Sequence, residues 1–187
     1  MSNANNRKFF RVSDKIAMTV KAVSSSTTNI AELFEQRRKE TGLANSFVQE
    51  KKINRPSLMS IERRFPDVVT YIETLENRLQ LLTNNNGKDD KALPMQATHS
   101  VDLSASGISF FCSNKFVENS LVEISIRLFP SRIRIHTIST IIRCDASNKS
   151  HEYDVAARFT HIHEEDEEQL FQHIHKIQTD ALKIVVN

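Results

Sequence analysis

Hydrophobic positions recur with two different periods along this chain, and the changes of period divide it. Ile16, Met18 and Val20 alternate with Ala17, Thr19 and Lys21, the period of a half-buried strand. The polar run from Ser24 to Asn29 breaks that strand, and its end can cap a helix. From Ile30 the pattern turns helical. Ile30, Leu33 and Phe34 share a face, charged residues follow from Glu35 to Glu40, and Gly42 is placed to stop the helix. A second helical piece would carry Phe47, Val48 and Ile53 and end before Pro56. The longest regular signal comes next. Leu58, Ile61, Phe65, Val68, Ile72, Leu75, Leu79 and Leu82 are spaced alternately by three and four residues. That is a heptad seam, and it predicts a coiled coil or a tightly packed helical hairpin. Pro66 interrupts the seam but suits the first turn of a new helix. Val69 and Tyr71 widen the apolar face beyond a two-stranded zipper, towards three or four helices.

The run Asn84 to Lys91 reads as a linker, and after Pro94 the strand period returns. Met95, Ala97, His99 and Val101 alternate, then Ile108, Phe110 and Cys112, then Val122, Ile124, Ile126 and Leu128. A long strand carries Ile133, Ile135, Thr137, Ser139, Ile141 and Arg143, with Ile138 and Ile142 on its other face. Tyr153, Val155, Ala157 and Phe159 form the last strand. Short turns between such strands predict an antiparallel barrel. The acids Glu164 to Glu168 open a final helix, where its dipole favours them, and Leu170, Ile174, Ile177, Ala181 and Ile184 form its stripe. The expected parts are an arm with the first strand (1–23), an inserted helical segment (24–93), the rest of the barrel (94–163) and a closing helix (164–187). An insert of roughly seventy residues exceeds ordinary loop lengths, but a hairpin tolerates it when its ends lie close.

Composition changes this picture little. With 187 residues, 39% of them hydrophobic, the chain can bury one good core plus a small appendage. A net charge of +2 does not point to a general nucleic-acid binder. Arg37-Arg38-Lys39, Lys51-Lys52 and Arg63-Arg64 are interleaved with Glu35, Glu40, Glu50 and Glu62, as on a charged helix surface. Cys112 and Cys144 sit in strand-like runs far apart, which fits a reduced cytoplasmic interior. An apolar N-terminal run and a bilayer-length apolar stretch are both lacking, so neither a signal peptide nor a membrane span is expected. His161, His163, His173 and His175 invite a zinc reading, but His173 and His175 are two apart and diverge on a helix, so no metal is expected.

Two stretches carry candidate chemistry. Arg7-Lys8-Phe9-Phe10-Arg11 precedes the first strand, and Asp102-Leu103-Ser104-Ala105-Ser106-Gly107 is a tight polar turn feeding Ile108 to Phe111. Glycine there permits a positive φ or a close approach of backbone to a ligand. An R-x-x-x-R stretch followed by D/N-x-S-x-x-G, each against a strand, resembles the signature of the PilZ domain. The resemblance rests on Arg7, Arg11, Asp102, Ser104 and Gly107 and extends to the strand pattern and closing helix. It implies a six-stranded antiparallel β-barrel, here an α+β chain with the helical insertion after its first strand. It also implies binding of the bacterial second messenger cyclic di-GMP.

The residue types suit that ligand. An arginine fork donates paired hydrogen bonds to phosphate or to guanine O6 and N7, and its face stacks on purines. Ionised Asp102 can accept from the guanine N1–H and amino group, and Ser104 adds a hydroxyl. Many members of the family carry a further arginine directly before the spaced pair, where this chain has Asn6. Phe9 and Phe10 are expected to pack rather than stack. Nothing in the pattern places a nucleophile or base for turnover, so an enzyme is not expected. The predicted protein is a cytoplasmic cyclic di-GMP receptor that associates, as dimer to tetramer, through Leu58, Ile61, Phe65, Val68, Ile72, Leu75, Leu79 and Leu82, and offers a surface to an effector protein. The alternative is a degenerate barrel that assembles through the same helices without binding nucleotide.

Overall fold

The computed structural model describes residues 11–23, 29–85, 93–147 and 152–185. Six strands close into one antiparallel barrel: β1 (Val12–Ala22), β2 (His99–Ser104), β3 (Gly107–Cys112), β4 (Leu121–Arg127), β5 (Arg134–Ala146) and β6 (Tyr153–Ile162). Their order around the barrel is β1-β2-β3-β6-β5-β4. Closure depends on β1 serving two neighbours. Its first half, Val12 to Ile16, pairs with Leu103 to His99 of β2. Its second half, Ala17 to Ala22, pairs with Arg127 to Val122 of β4. The inward faces are those the alternation marks. Ile16, Leu103, Val122, Ile124, Ile126, Ile141 and Val155 are fully buried in the core.

The helix α3 (Glu164–Val185) closes one end, with Leu170 and Ile174 in the core. Asp14, on the inward-facing row of β1, would be a buried liability without a partner. His173 of α3 meets its Oδ2 at 2.7 Å.

Between β1 and β2 the chain forms α1 (Ile30–Glu62) and α2 (Pro66–Asn85). Asn29 caps α1, its side chain accepting from the Glu32 amide at 3.3 Å. α2 begins at Pro66, as expected of a proline in the first turn. The expected stop at Gly42 and the expected end before Pro56 are both overturned, since α1 runs through both positions. Tertiary contacts act against the local signals. Just past Gly42, Asn45 Nδ2 donates to the Arg134 carbonyl at 2.8 Å and Asn45 Oδ1 accepts from the Arg134 amide at 2.7 Å. Nearer Pro56, Lys51 Nζ meets Glu76 Oε2 at 2.6 Å across the turn between the helices. A proline inside a helix costs about 3 kcal/mol and a glycine about 1, and these contacts, at about 1 kcal/mol for each hydrogen bond, offset part of that. The strand expected from Met95 starts only at His99, the preceding residues being a bend and coil.

The first half of α1 lies on the outer face of β4 and β5. Arg37 Nε donates to Glu123 Oε1 at 2.7 Å, and the Phe34 ring packs 6.2 Å from His136 and 6.0 Å from His161. This cover explains why Ile138, opposite the core face of β5, is also fully buried. His136 is 3% exposed, and its Nε2 has no hydrogen-bond partner among the described residues; Glu123 Oε1 lies 3.7 Å away. Burial, helped by the Arg37 charge, pushes the His136 imidazole down to about 4. Burial pushes the neighbouring Asp166, which accepts from the His136 amide, up to about 6.

The two shifts act oppositely on stability. Below its ordinary value of 6.5, His136 favours the unfolded chain, so acidification from there to about 4 destabilises the fold. Asp166 takes its proton in the folded chain at about 6 but in the unfolded chain only near 3.8, so the same acidification stabilises the fold. Asp166→Asn should therefore lose melting temperature more steeply than the parent between about pH 6.5 and about pH 4. His136→Gln should lose it less steeply. Parallel slopes in thermal melts across that range would refute the pairing.

Candidate functional site

The turn singled out in the sequence is the two-residue connection Ala105-Ser106 between β2 and β3, closed by the pair Ser104–Gly107. Its residues hold one another. The Ser104 side chain is buried, and its hydroxyl donates to the Gly107 carbonyl at 3.0 Å. The Ser106 carbonyl accepts from the Phe159 amide of β6 at 3.0 Å. Gly107 does not adopt a positive φ. Its close approach is to β6: a Cβ there would collide with the Ala157 carbonyl oxygen and press on the Arg158 Cα at 3.3 Å. The glycine is thus required by strand packing, and the same packing leaves a stretch of bare backbone on the outer face.

Asp102 is exposed on that face. Its Oδ1 accepts from Ser13 Oγ of β1 at 2.7 Å, which fixes the carboxylate between the two strands. Ser109 pairs with Asp102 in register and donates to Asp154 Oδ1 of β6 at 3.4 Å. Asp154 in turn is held by Arg143 of β5, Nη2 to Oδ2, at 2.7 Å. Sequence alone did not single out Ser13, Ser109, Arg143 or Asp154. The outward parity of Ser13, Ser109 and Asp154 was readable from the alternation, but Arg143 falls by alternation on the core row of its strand and is turned outward by the register shift between Ile141 and Arg143. The meeting of all four depends on register.

Arg11 is exposed and immediately precedes β1, one residue before the Val12–Leu103 pair, which sets it beside the Ser104 end of β2. The structure therefore brings Arg11, Asp102, Ser104 and Gly107 to one edge of the barrel. Arg7, with Phe9 and Phe10, lies outside the described residues. A separate concavity of about 730 Å³ opens where β1 leaves β2, lined among others by Lys21, His99, Phe110, Phe111 and Phe116. Burial lowers the His99 imidazole there.

The seam residues are divided by the helix break, Leu58 and Ile61 in α1 and the residues from Val68 onward in α2, with Phe65 between. Ile61, Phe65, Val68, Leu75 and Leu79 are all exposed, as are Leu43, Ile53 and Tyr71. Leu58 and Ile72 are half-buried, and the side chain of Leu82 lies outside the described residues. In the two helices, among the described residues, only Val69 is buried. The four histidines considered for zinc are spread over different contacts: His161 against Phe34, His163 accepting from the Glu165 amide, His173 on Asp14, and His175 stacked on Phe171. No helix, among the described residues, is long and apolar enough to cross a membrane.

The profile of the PilZ domain matches residues 78–176, which is 99 of the chain's 187 positions. The match takes in Asp102, Ser104 and Gly107 but begins after β1 and the arginines. No curated protein matches the chain. Among solved structures it is similar to the Bacillus subtilis inhibitor of motility (MotI/DgrA), with 21% identity, 44% of this chain and 42% of that one covered, and a TM-score of 0.40. The chain thus spans less than half the length of that protein. It is also similar to a pathogenic protein from Xanthomonas campestris described as a new tetrameric PilZ domain self-assembled via an unusual helical bundle. There the identity is 10%, the coverage 94% of this chain and 91% of that one, and the TM-score 0.51, a likeness of fold.

Gly107→Ala should destabilise the protein by about 1–3 kcal/mol in urea unfolding, because the carbonyl it strikes belongs to the backbone and cannot swing aside. An unchanged midpoint would mean that β3 and β6 have slack that the packing denies.

Proposed function

The chain belongs to the PilZ domain family, and on that footing we propose that it is a non-enzymatic receptor for cyclic di-GMP that self-associates through its inserted helices. The observation that carries the binding half is the edge where exposed Arg11 and Asp102 flank the Ser104–Gly107 turn. Arginine supplies a planar donor fork for phosphate or guanine, and the carboxylate supplies acceptors for guanine N–H groups. The hydroxyl of Ser13 sets the Asp102 carboxylate in advance of the ligand, which lowers the ordering cost of binding. Arg7 is the second arm of the motif in this reading. The cytoplasm is the proposed location, and an effector protein that reads the occupied site is the proposed partner.

The association half rests on the apolar side chains of α1 and α2 that the chain itself leaves uncovered, from Leu43 and Ile53 to Leu75 and Leu79. So many large apolar side chains exposed on two paired helices fit an interaction surface. The tetrameric relative from Xanthomonas campestris assembles through a helical bundle, and the same use of helices is proposed here.

Titration calorimetry with cyclic di-GMP tests the first half. Binding at micromolar affinity or tighter is expected, weakened about tenfold or more by Arg11→Ala or Asp102→Ala, the loss of one charge-assisted contact. No heat at high ligand concentration would leave a scaffold that does not bind nucleotide. Light scattering tests the second half: an oligomer is expected for the parent and a monomer for Leu75→Asp combined with Leu79→Asp. A monomeric parent at high concentration would dispose of association.

A further inference from the structure

We propose that Arg158 of β6 is a third cationic arm of the cyclic di-GMP site, facing Arg11 across the bare backbone of Gly107; the proposal rests on the receptor reading above. Register places it there. Gly107 of β3 pairs with Arg158, Ser104 of β2 pairs with Gly107, and Arg11 immediately precedes Val12, the first residue of β1, whose partner is Leu103. Ser104, Gly107 and Arg158 are therefore in register across β2, β3 and β6, and Arg11, just ahead of β1, continues that row on the side of Ser104. The row is about 14 Å long, three inter-strand spacings.

The row is shaped for a flat anionic ligand. Its two middle members are small: the Ser104 side chain is buried with its hydroxyl on the Gly107 carbonyl, and Gly107 has none. Its two ends are exposed arginines. Val155 and Ala157 are buried in the barrel and Phe159 packs against its core, so the alternation turns Arg158 to the outer face. Arg158 makes no side-chain hydrogen bond or ion pair among the described residues. Arg143, the other outward arginine nearby, is already committed to Asp145 and Asp154. Arg158 is the arginine on this wall left available to a ligand. Asp102 stands one row away and can take guanine donors while Arg158 donates to a phosphate or to guanine O6 and N7. The chain has Asn6 directly before the Arg7–Arg11 stretch, and a cation delivered from β6 supplies charge from the opposite side.

The test is calorimetry of the full chain with cyclic di-GMP, comparing the parent with Arg158→Ala, Arg158→Lys and, as a control for net charge, Lys39→Ala on the exposed face of α1. Arg158→Ala should weaken binding about tenfold or more, with an unchanged melting temperature and with Lys39→Ala binding like the parent. Arg158→Lys separates the two ligand groups. Near-parental binding assigns the arm to a phosphate, and a loss equal to that of alanine assigns it to the guanine edge, which needs the planar fork. Binding by Arg158→Ala within twofold of the parent overturns this inference and leaves the receptor reading standing. A parent that does not bind removes both.

Discussion

The pairing of Val12 to Ile16 with His99 to Leu103 is the constraint on which the molecule depends. It joins strands separated by the whole helical insert, as the Ser13–Asp102 hydrogen bond does across 89 positions of sequence. Closing so long a loop adds only modest entropy over a short one, because the cost grows with the logarithm of length. What repays it is the barrel itself. Without this pair β1 would hang from β4 alone, the sheet would keep two open edges, and Ile16 and Leu103 would lose their common core. The same pair brings Arg11 to the Asp102 turn, so closure of the fold and assembly of the site are one event.

Residues of the Ser104–Gly107 turn show how a candidate ligand motif can be fixed by packing. Gly107 answers to the Ala157 carbonyl, and Ser104 to the Gly107 carbonyl. A turn braced in this way presents its outer atoms in one geometry, which suits recognition by a few polar contacts.

Much of this was legible in the sequence, and the boundary of legibility is physical. The six strands followed from side-chain alternation, because one face of each is buried and period two is then enforced. The start of α2 followed from Pro66, whose fixed φ suits a first turn. Gly42 and Pro56 misled, because their signals are local and the clamp of Asn45 on Arg134 joins residues 89 positions apart. Arg158 was unremarkable for the same reason. Its outward direction was readable, but its placement opposite Gly107 is a register, and alternation fixes parity without fixing register. The burial of Ile138 likewise needed knowledge of which strands α1 would cover.

The attachment of α1 has a consequence for access. Arg37 and Asn45 tie the insert to β4 and β5, which stand across the barrel from β2 and β3. Whatever gathers along the helices is therefore held on the far wall from the Asp102 turn. If copies gather there as proposed, their Asp102 turns point outward like spokes, each reachable by diffusion, and a single partner touching two of them would gain avidity that no isolated barrel offers.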